Sequence, residues 1–187
     1  MTLQSVSIHE VQACEKEFKQ HIPDYAKDIR LNWGSVLSAE GAADLSQEQL
    51  WGVALASAFA TKNHTVTQEV KRLALEQGLE SLIVPAQAAA AIMAMNNVYY
   101  RSIHLLQDDE LKKMPAKLRM NIMANPGIAK LDFEVMCLGV SAINGCGMCL
   151  EAHAHEVKKA GLSTLGIQSV LRLASVIHAA AFAISIS

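Results

Sequence analysis

Apolar residues return every three or four positions through most of the chain, the spacing of α-helices and not the alternation of strands. The segment Gln47 to Ala60 (QEQLWGVALASAFA) predicts a helix, with Ser46 placed to cap its start and Glu48 near its positive end. Val66, Val70 and Leu73 share one face of a helix predicted over Thr65 to Gly78, where Gly78 is the stop. After Pro85 an Ala-rich run (AQAAAAIMAMNNVYYRSIHLL) offers small residues for close helix packing. Pro115 predicts the start of a short helix over Ala116 to Ala124, closed by the turn Asn125-Pro126-Gly127. Phe133 to Ile143 reads as an apolar helix that ends at Asn144-Gly145. Cys146 opens the next, which stops near Gly161, and Ser163 to Ala183 forms the last. No linker or low-complexity tract divides these elements, so residues 1–187 are read as one all-α domain, a helical bundle.

An internal echo adds to this picture. Gln49-Leu50-Trp51 with Ala56-Ser57-Ala58 resembles Phe133-Glu134-Val135 with Val140-Ser141-Ala142, and Glu69-Val70-Lys71 recurs at Glu156-Val157-Lys158. The echo is compatible with two similar helical halves. The second would then carry the cysteines, and the first would hold Lys62 or its neighbours in their place.

Composition narrows the function classes. Of 187 residues, 51% are apolar and 18% charged, which excludes disorder and leaves enough apolar surface for a large core. Sixteen Lys and Arg stand against 18 Asp and Glu without a long cationic run, so nothing asks for nucleic acid or an anionic membrane. The longest apolar stretches, Leu82 to Met95 and Val176 to Ile186, fall short of the roughly 20 residues of a bilayer span. Thr2 to Lys19 lacks the plan of a secretory signal, and the expected location is the cytoplasm.

The candidate chemistry is sulfur chemistry. Cys146 and Cys149 form a C-x-x-C, which in a reducing compartment points to catalysis or metal binding before a structural staple. On a helix opened by Cys146, Cys149 and His153 share one stripe while His155 points away. Free N–H groups at a helix start lower a cysteine pKa, and position alone makes Cys146 the exposed nucleophile. A zinc site built on Cys146, Cys149, His153 and His155 suffers from the direction of His155. A thioredoxin-like fold lacks the chain for its strands after Cys149. A redox dithiol on a helical scaffold violates nothing. Glu134, twelve residues before Cys146, serves its helix start or, across an antiparallel helix pair, meets His153 directly or through a water.

The stretch VSAINGCGMCLEAH (Val140 to His153), with Glu134 upstream, resembles the active-site signature of the alkyl hydroperoxidase D family. PDYAKDIRLN (Pro23 to Asn32), AAAIMAMNNVYYR (Ala89 to Arg101) and LRMNIMANPGIAK (Leu118 to Lys130) resemble further blocks of it in the same order. The resemblance implies an all-helical fold of the carboxymuconolactone-decarboxylase superfamily, usually a homotrimer. It implies weak hydroperoxidase activity and regeneration of a partner peroxiredoxin. No bound cofactor is implied; electrons come from the lipoyl group of a dihydrolipoamide acyltransferase kept reduced by lipoamide dehydrogenase. Carried over by position, Cys149 attacks peroxide and becomes a sulfenic acid, Cys146 donates a proton and resolves it into a Cys146–Cys149 disulfide, and Glu134 and His153 relay protons. His155 matches an accessory family histidine. Met148 stands where the family often has His, which puts the charge beside the thiolate in question. Two other readings are a non-redox helical enzyme of the superfamily acting on a lactone or carboxylate, and a zinc-stabilised oligomerisation module.

The remaining conspicuous residues read as structure. Cys14 and Cys137 are single cysteines that behave as small hydrophobes. Met93, Met95, Met120 and Met123, with Trp51, Tyr99 and Tyr100, are expected in core or subunit packing. Asn96-Asn97 is an unusual pair inside a helix, expected to bond across a subunit contact. His9, His21, His64, His104 and His178 have no partners at ligand spacing, and Lys112, Lys113, Lys117 and Arg119 form a solvated face.

Overall fold

The computed structural model describes residues 18–187; Cys14 and His9 lie outside the described residues. Among the described residues the structure is helical throughout: α1 (Lys27–Val36), α2 (Gln47–Thr61), α3 (His64–Glu76), α4 (Ile83–Leu106), α5 (Asp109–Lys113), α6 (Asn121–Ala124), α7 (Lys130–Ile143), α8 (Gly147–Lys159) and α9 (Thr164–Ser185). The bundle grows outward from α2 and α7, which pack on each other, with α4 and α9 each contacting both.

The centre is set by two helices with no solvated face. Leu50 through Ala58 of α2 and Phe133 through Ser141 of α7 are all buried. Each large side chain there, such as Leu55 or Phe133, contributes roughly 1.5–3 kcal/mol by leaving water. Glycines set the distance between the pair. A Cβ at Gly52 would lie 2.4 Å from Met136 Cε, and one at Gly139 would lie 3.2 Å from Val53 Cγ1 and 3.3 Å from Ser57 Oγ. A capping box closes the start of α2: Ser46 Oγ accepts the Gln49 N–H at 3.2 Å, and Gln49 Oε1 accepts the Ser46 N–H at 3.1 Å. The Gln49 amide also donates to Asp132 at 2.9 Å, joining the beginnings of α2 and α7.

The internal echo corresponds to repeated architecture. Helices α2, α3 and α4 have 15, 13 and 24 residues, and α7, α8 and α9 have 14, 13 and 22. The two first turns match in detail. Lys62 (φ 58°) and Gly145 (φ 66°) take left-handed backbone, and the next residue caps the following helix. Asn63 Oδ1 accepts the Val66 N–H at 3.0 Å; Cys146 Sγ accepts the Cys149 N–H at 3.3 Å. Asn63, beside Lys62, is therefore what the first half holds in place of Cys146.

Several sequence expectations need correction. The helix expected from Ala116 to Ala124 is confined to Asn121–Ala124: Lys117 adopts a left-handed φ of 51°, which breaks the helical backbone near the expected start. Helix α1 escaped the periodicity because Trp33 and Val36 are its only buried residues. The apolar stretches judged too short for a bilayer belong to helices Glu80–Leu106 and Thr164–Ser185, which are long and apolar enough to cross one. Polar interruptions had hidden their length. Both lay one face into the bundle, and α9 keeps Gln168, Arg172, Ser175 and His178 on the other.

Gly139→Val forces α2 and α7 apart. Its expected cost is about 1–3 kcal/mol, seen as a lower urea midpoint of unfolding.

Candidate active site

The α7–α8 turn brings the cysteines together. Cys146 N–H donates to Ser141 O at 3.1 Å, Gly145 reverses the chain, and the Cys146 side chain folds back over the first turn of α8. Its sulfur lies 2.7 Å from Cys149 Sγ, and both thiols are free. A disulfide, with an S–S length of about 2.05 Å, needs less than about 1 Å of further approach.

Exposure reverses the ranking that position alone gave. Cys146 is fully buried, whereas Cys149 is 6% exposed and borders a cavity of about 210 Å³ lined by Asn96, Tyr100, Met148, Cys149, Ala152 and His153. The capping role turns Cys146 inward. The helix start also fails to lower the Cys149 pKa: burial, then the hydrogen bond and charge of Cys146, push the thiol up to about 12, with the Asn97 amide acting the other way. A base is needed to take its proton.

Glu134 and His153 supply a pair of that kind. In the antiparallel hairpin of α7 and α8, Glu134 Oε2 lies 2.7 Å from His153 Nδ1, and both residues are buried. The contact is direct. With Nδ1–H donated to the carboxylate, Nε2 is the atom left for proton transfer. It lies 3.2 Å from Met93 Sδ, and the imidazole borders the same cavity as Cys149. His155 is exposed on the opposite side of α8. Among the described residues no group of three or more His, Cys, Asp or Glu is placed to hold a metal.

Sequence reasoning missed the support behind the dithiol. Asn97 Nδ2 donates to Ser141 Oγ at 3.0 Å, Asn144 Nδ2 donates to Asn97 Oδ1 at 2.9 Å, and Arg101 donates to the Asn144 carbonyl. These bonds lock α4 to the end of α7 within one chain, where a subunit contact had been expected of Asn97. Ser141 Oγ and Asn97 Nδ2 also approach Met93 Sδ, at 3.5 and 3.8 Å, so Met93 packs at the site and not merely in the core. The available signal was two amides on a face that otherwise reads as core. Cys137 is fully buried, its thiol pushed up by burial and by the Glu134 carboxylate, which fits its reading as an inert hydrophobe. Met148 lines the cavity wall.

Comparison with known proteins places this site in context. The sequence profile of the carboxymuconolactone decarboxylase family matches residues 109–185, which include the dithiol, Glu134 and His153. A protein of Coxiella burnetii named alkyl hydroperoxide reductase AhpD is 51% identical over 161 residues, covering 86% of this chain and 91% of the relative. Proteins of the same name from Rhodospirillum centenum and Frankia alni are each 50% identical over 163 residues, 87% of this chain and 86% of theirs.

The raised Cys149 pKa sets a pH dependence of stability. The folded reduced protein holds this proton above the ordinary value of 9.0, so the contribution is full below pH 9 and is lost as pH rises toward about 12. Urea unfolding of the reduced protein on either side of pH 9 should show the decline, and Cys149→Ser should flatten it.

Proposed function

We propose that this chain, which belongs to the alkyl hydroperoxidase D family within the carboxymuconolactone decarboxylase superfamily, is an antioxidant dithiol oxidoreductase acting on organic hydroperoxides. The observation that carries this reading is the free Cys146–Cys149 pair with sulfurs 2.7 Å apart, beside a Glu134–His153 bond of the same length. In this reading His153 Nε2 accepts the Cys149 proton, directly or through a molecule in the cavity, while Glu134 stabilises the imidazolium. Cys149 thiolate attacks the terminal peroxide oxygen. The S–O bond forms, the O–O bond breaks, and the alkoxide takes the proton from His153 to leave as an alcohol. The Cys146 sulfur then displaces hydroxide from the sulfenic acid; its own proton goes with the hydroxide as water, and the disulfide closes.

A dithiol reopens the ring. The proposed reductant is the lipoyl group of a dihydrolipoamide acyltransferase, re-reduced by lipoamide dehydrogenase. One lipoyl sulfur attacks Cys149, the sulfur that borders the cavity, and the second releases it as the cyclic lipoyl disulfide. The reduced pair would then regenerate a partner peroxiredoxin: Cys149 thiolate attacks the peroxiredoxin disulfide, Cys146 attacks the mixed disulfide, and the peroxiredoxin leaves as a dithiol while the Cys146–Cys149 disulfide forms. A reducing location such as the cytoplasm suits a pair that begins as free thiols. A homotrimer is the proposed assembly. Val84, Ala91, Val98 and Leu105 recur every seventh residue on the exposed side of α4, the spacing of a helix seam, and three of them are 71%, 57% and 70% exposed.

The test couples peroxide to NADH oxidation through lipoamide and lipoamide dehydrogenase, with and without the peroxiredoxin. Cys146→Ser and Cys149→Ser are expected to abolish turnover while leaving helical circular dichroism intact, and activity at the wild-type level in either would refute the scheme. Glu134→Gln should slow turnover by about 10²-fold and alter the pH–rate profile, while still permitting the disulfide. An unchanged profile would remove Glu134 from the relay.

A further inference from the structure

The Glu134–His153 pair joins two cavities that share no lining residue. His153 borders the cavity of about 210 Å³ at Cys149. Glu134 borders a second, of about 310 Å³, lined also by Lys130 and Leu131 at the start of α7 and by Glu156, Lys159 and Ala160 at the end of α8. The 2.7 Å contact between Glu134 Oε2 and His153 Nδ1 connects one to the other. Glu134 Oε1 has no hydrogen-bond partner among the described residues, yet it is not sealed from solvent. A recess of that volume with three charged side chains in its wall has both the room and the polar partners that water needs.

Thiol exchange places a demand on this arrangement. Each sulfur of a dithiol reductant gives its proton to solvent before it attacks. The first bonds to Cys149 Sγ as the Cys146–Cys149 bond breaks, and the second displaces Cys149 as the reductant closes into its own disulfide. The reductant is oxidised by two electrons, Cys146 and Cys149 leave as thiolates, and two protons have to reach them. While this happens the reductant occupies the Cys149 cavity and stands between the sulfurs and the water at its mouth.

We infer that the cavity at Glu134 is a proton port, separate from the mouth by which substrates and reductants reach Cys149. This rests on the function proposed above and deepens it by assigning the path of the protons. A proton taken from water at the Glu134 carboxylate passes to the ring of His153 and from the ring to the sulfur, and a change of tautomer resets the imidazole. When Cys149 is instead the attacking thiol on a partner's disulfide, its proton runs outward by the same route. Lys130, Glu156 and Lys159 touch neither sulfur nor substrate; they keep the outer end of the path hydrated.

The experiment reads exchange of the His153 Nδ1 proton with water, by saturation transfer to its low-field NMR resonance in the reduced full chain, before and after N-ethylmaleimide caps Cys149. Capping fills the Cys149 cavity and is expected to leave the exchange rate unchanged. Ala160→Trp and Leu131→Trp narrow the second cavity from its two helices. Each is expected to slow the exchange several-fold, with the resonance kept at its low-field position because the Glu134–His153 bond is intact, and to slow reopening of the disulfide by dihydrolipoamide by a similar factor. Exchange at the wild-type rate in both tryptophan variants would overturn the inference. So would exchange that stops on capping, which would route the proton through the Cys149 cavity. A wild-type chain that neither hydroperoxide oxidises nor dihydrolipoamide reduces would remove the proposed function, and the exchange rates would still decide for or against the port.

Discussion

Left-handed backbone at Gly145 reverses the chain between α7 and α8, and that reversal lets a cysteine side chain occupy the place of a helix cap. From it follow the contact between the sulfurs, the burial of one and the partial access to the other. It also sets the register of the hairpin, and with that register Glu134 on α7 meets His153 on α8. A residue other than glycine would take that φ only with strain. In the first half Lys62 does so, at a turn where no sulfur has to be placed.

The burial of the dithiol and its proposed reactivity pull in opposite directions. Removing water from Cys149 holds the thiol in its protonated form, as does the second sulfur beside it. Reactivity therefore has to come from neighbours that act on demand. In the proposed mechanism Glu134 and His153 would give the proton a route, and Asn97, held by Ser141 and Asn144, favours the charged sulfur. Several of the polar side chains buried in the bundle, including Glu134, His153, Asn96, Asn97 and Ser141, lie at or behind this site. Such groups are costly in a core, and their gathering around two thiols identifies the region where stability has yielded to chemistry.

Much of the fold was legible because the long helices keep their period and their caps: Ser46, Ser163 and Gly78 stand where capping chemistry needs them. The short elements between Asp109 and Ala124 were not, since their form depends on Lys117 taking an unusual backbone conformation. At the site, residues close in sequence on one helix face could be read, and so could the Glu134–His153 pairing, because the hairpin is local. The relative exposure of the two cysteines could not. It depends on Asn96 and Tyr100 of α4, which reach the pocket from some fifty residues away in the chain. For the role of nucleophile, position on the helix favoured Cys146 and the resemblance to a family implied Cys149, the sulfur that borders the pocket.

The paired caps have a further consequence. An amide oxygen is a strong acceptor for the free N–H groups of a helix start and a sulfur a weak one, so the first hairpin keeps the sturdier closure and the second gives some of it up. The sulfur that fastens the end of α8 is also the one that would cross to Cys149, and the crossing is shorter than an ordinary thermal displacement of a side chain. In the proposed redox cycle electrons would thus enter and leave with almost no change of shape, and a partner would meet nearly the same surface in either oxidation state.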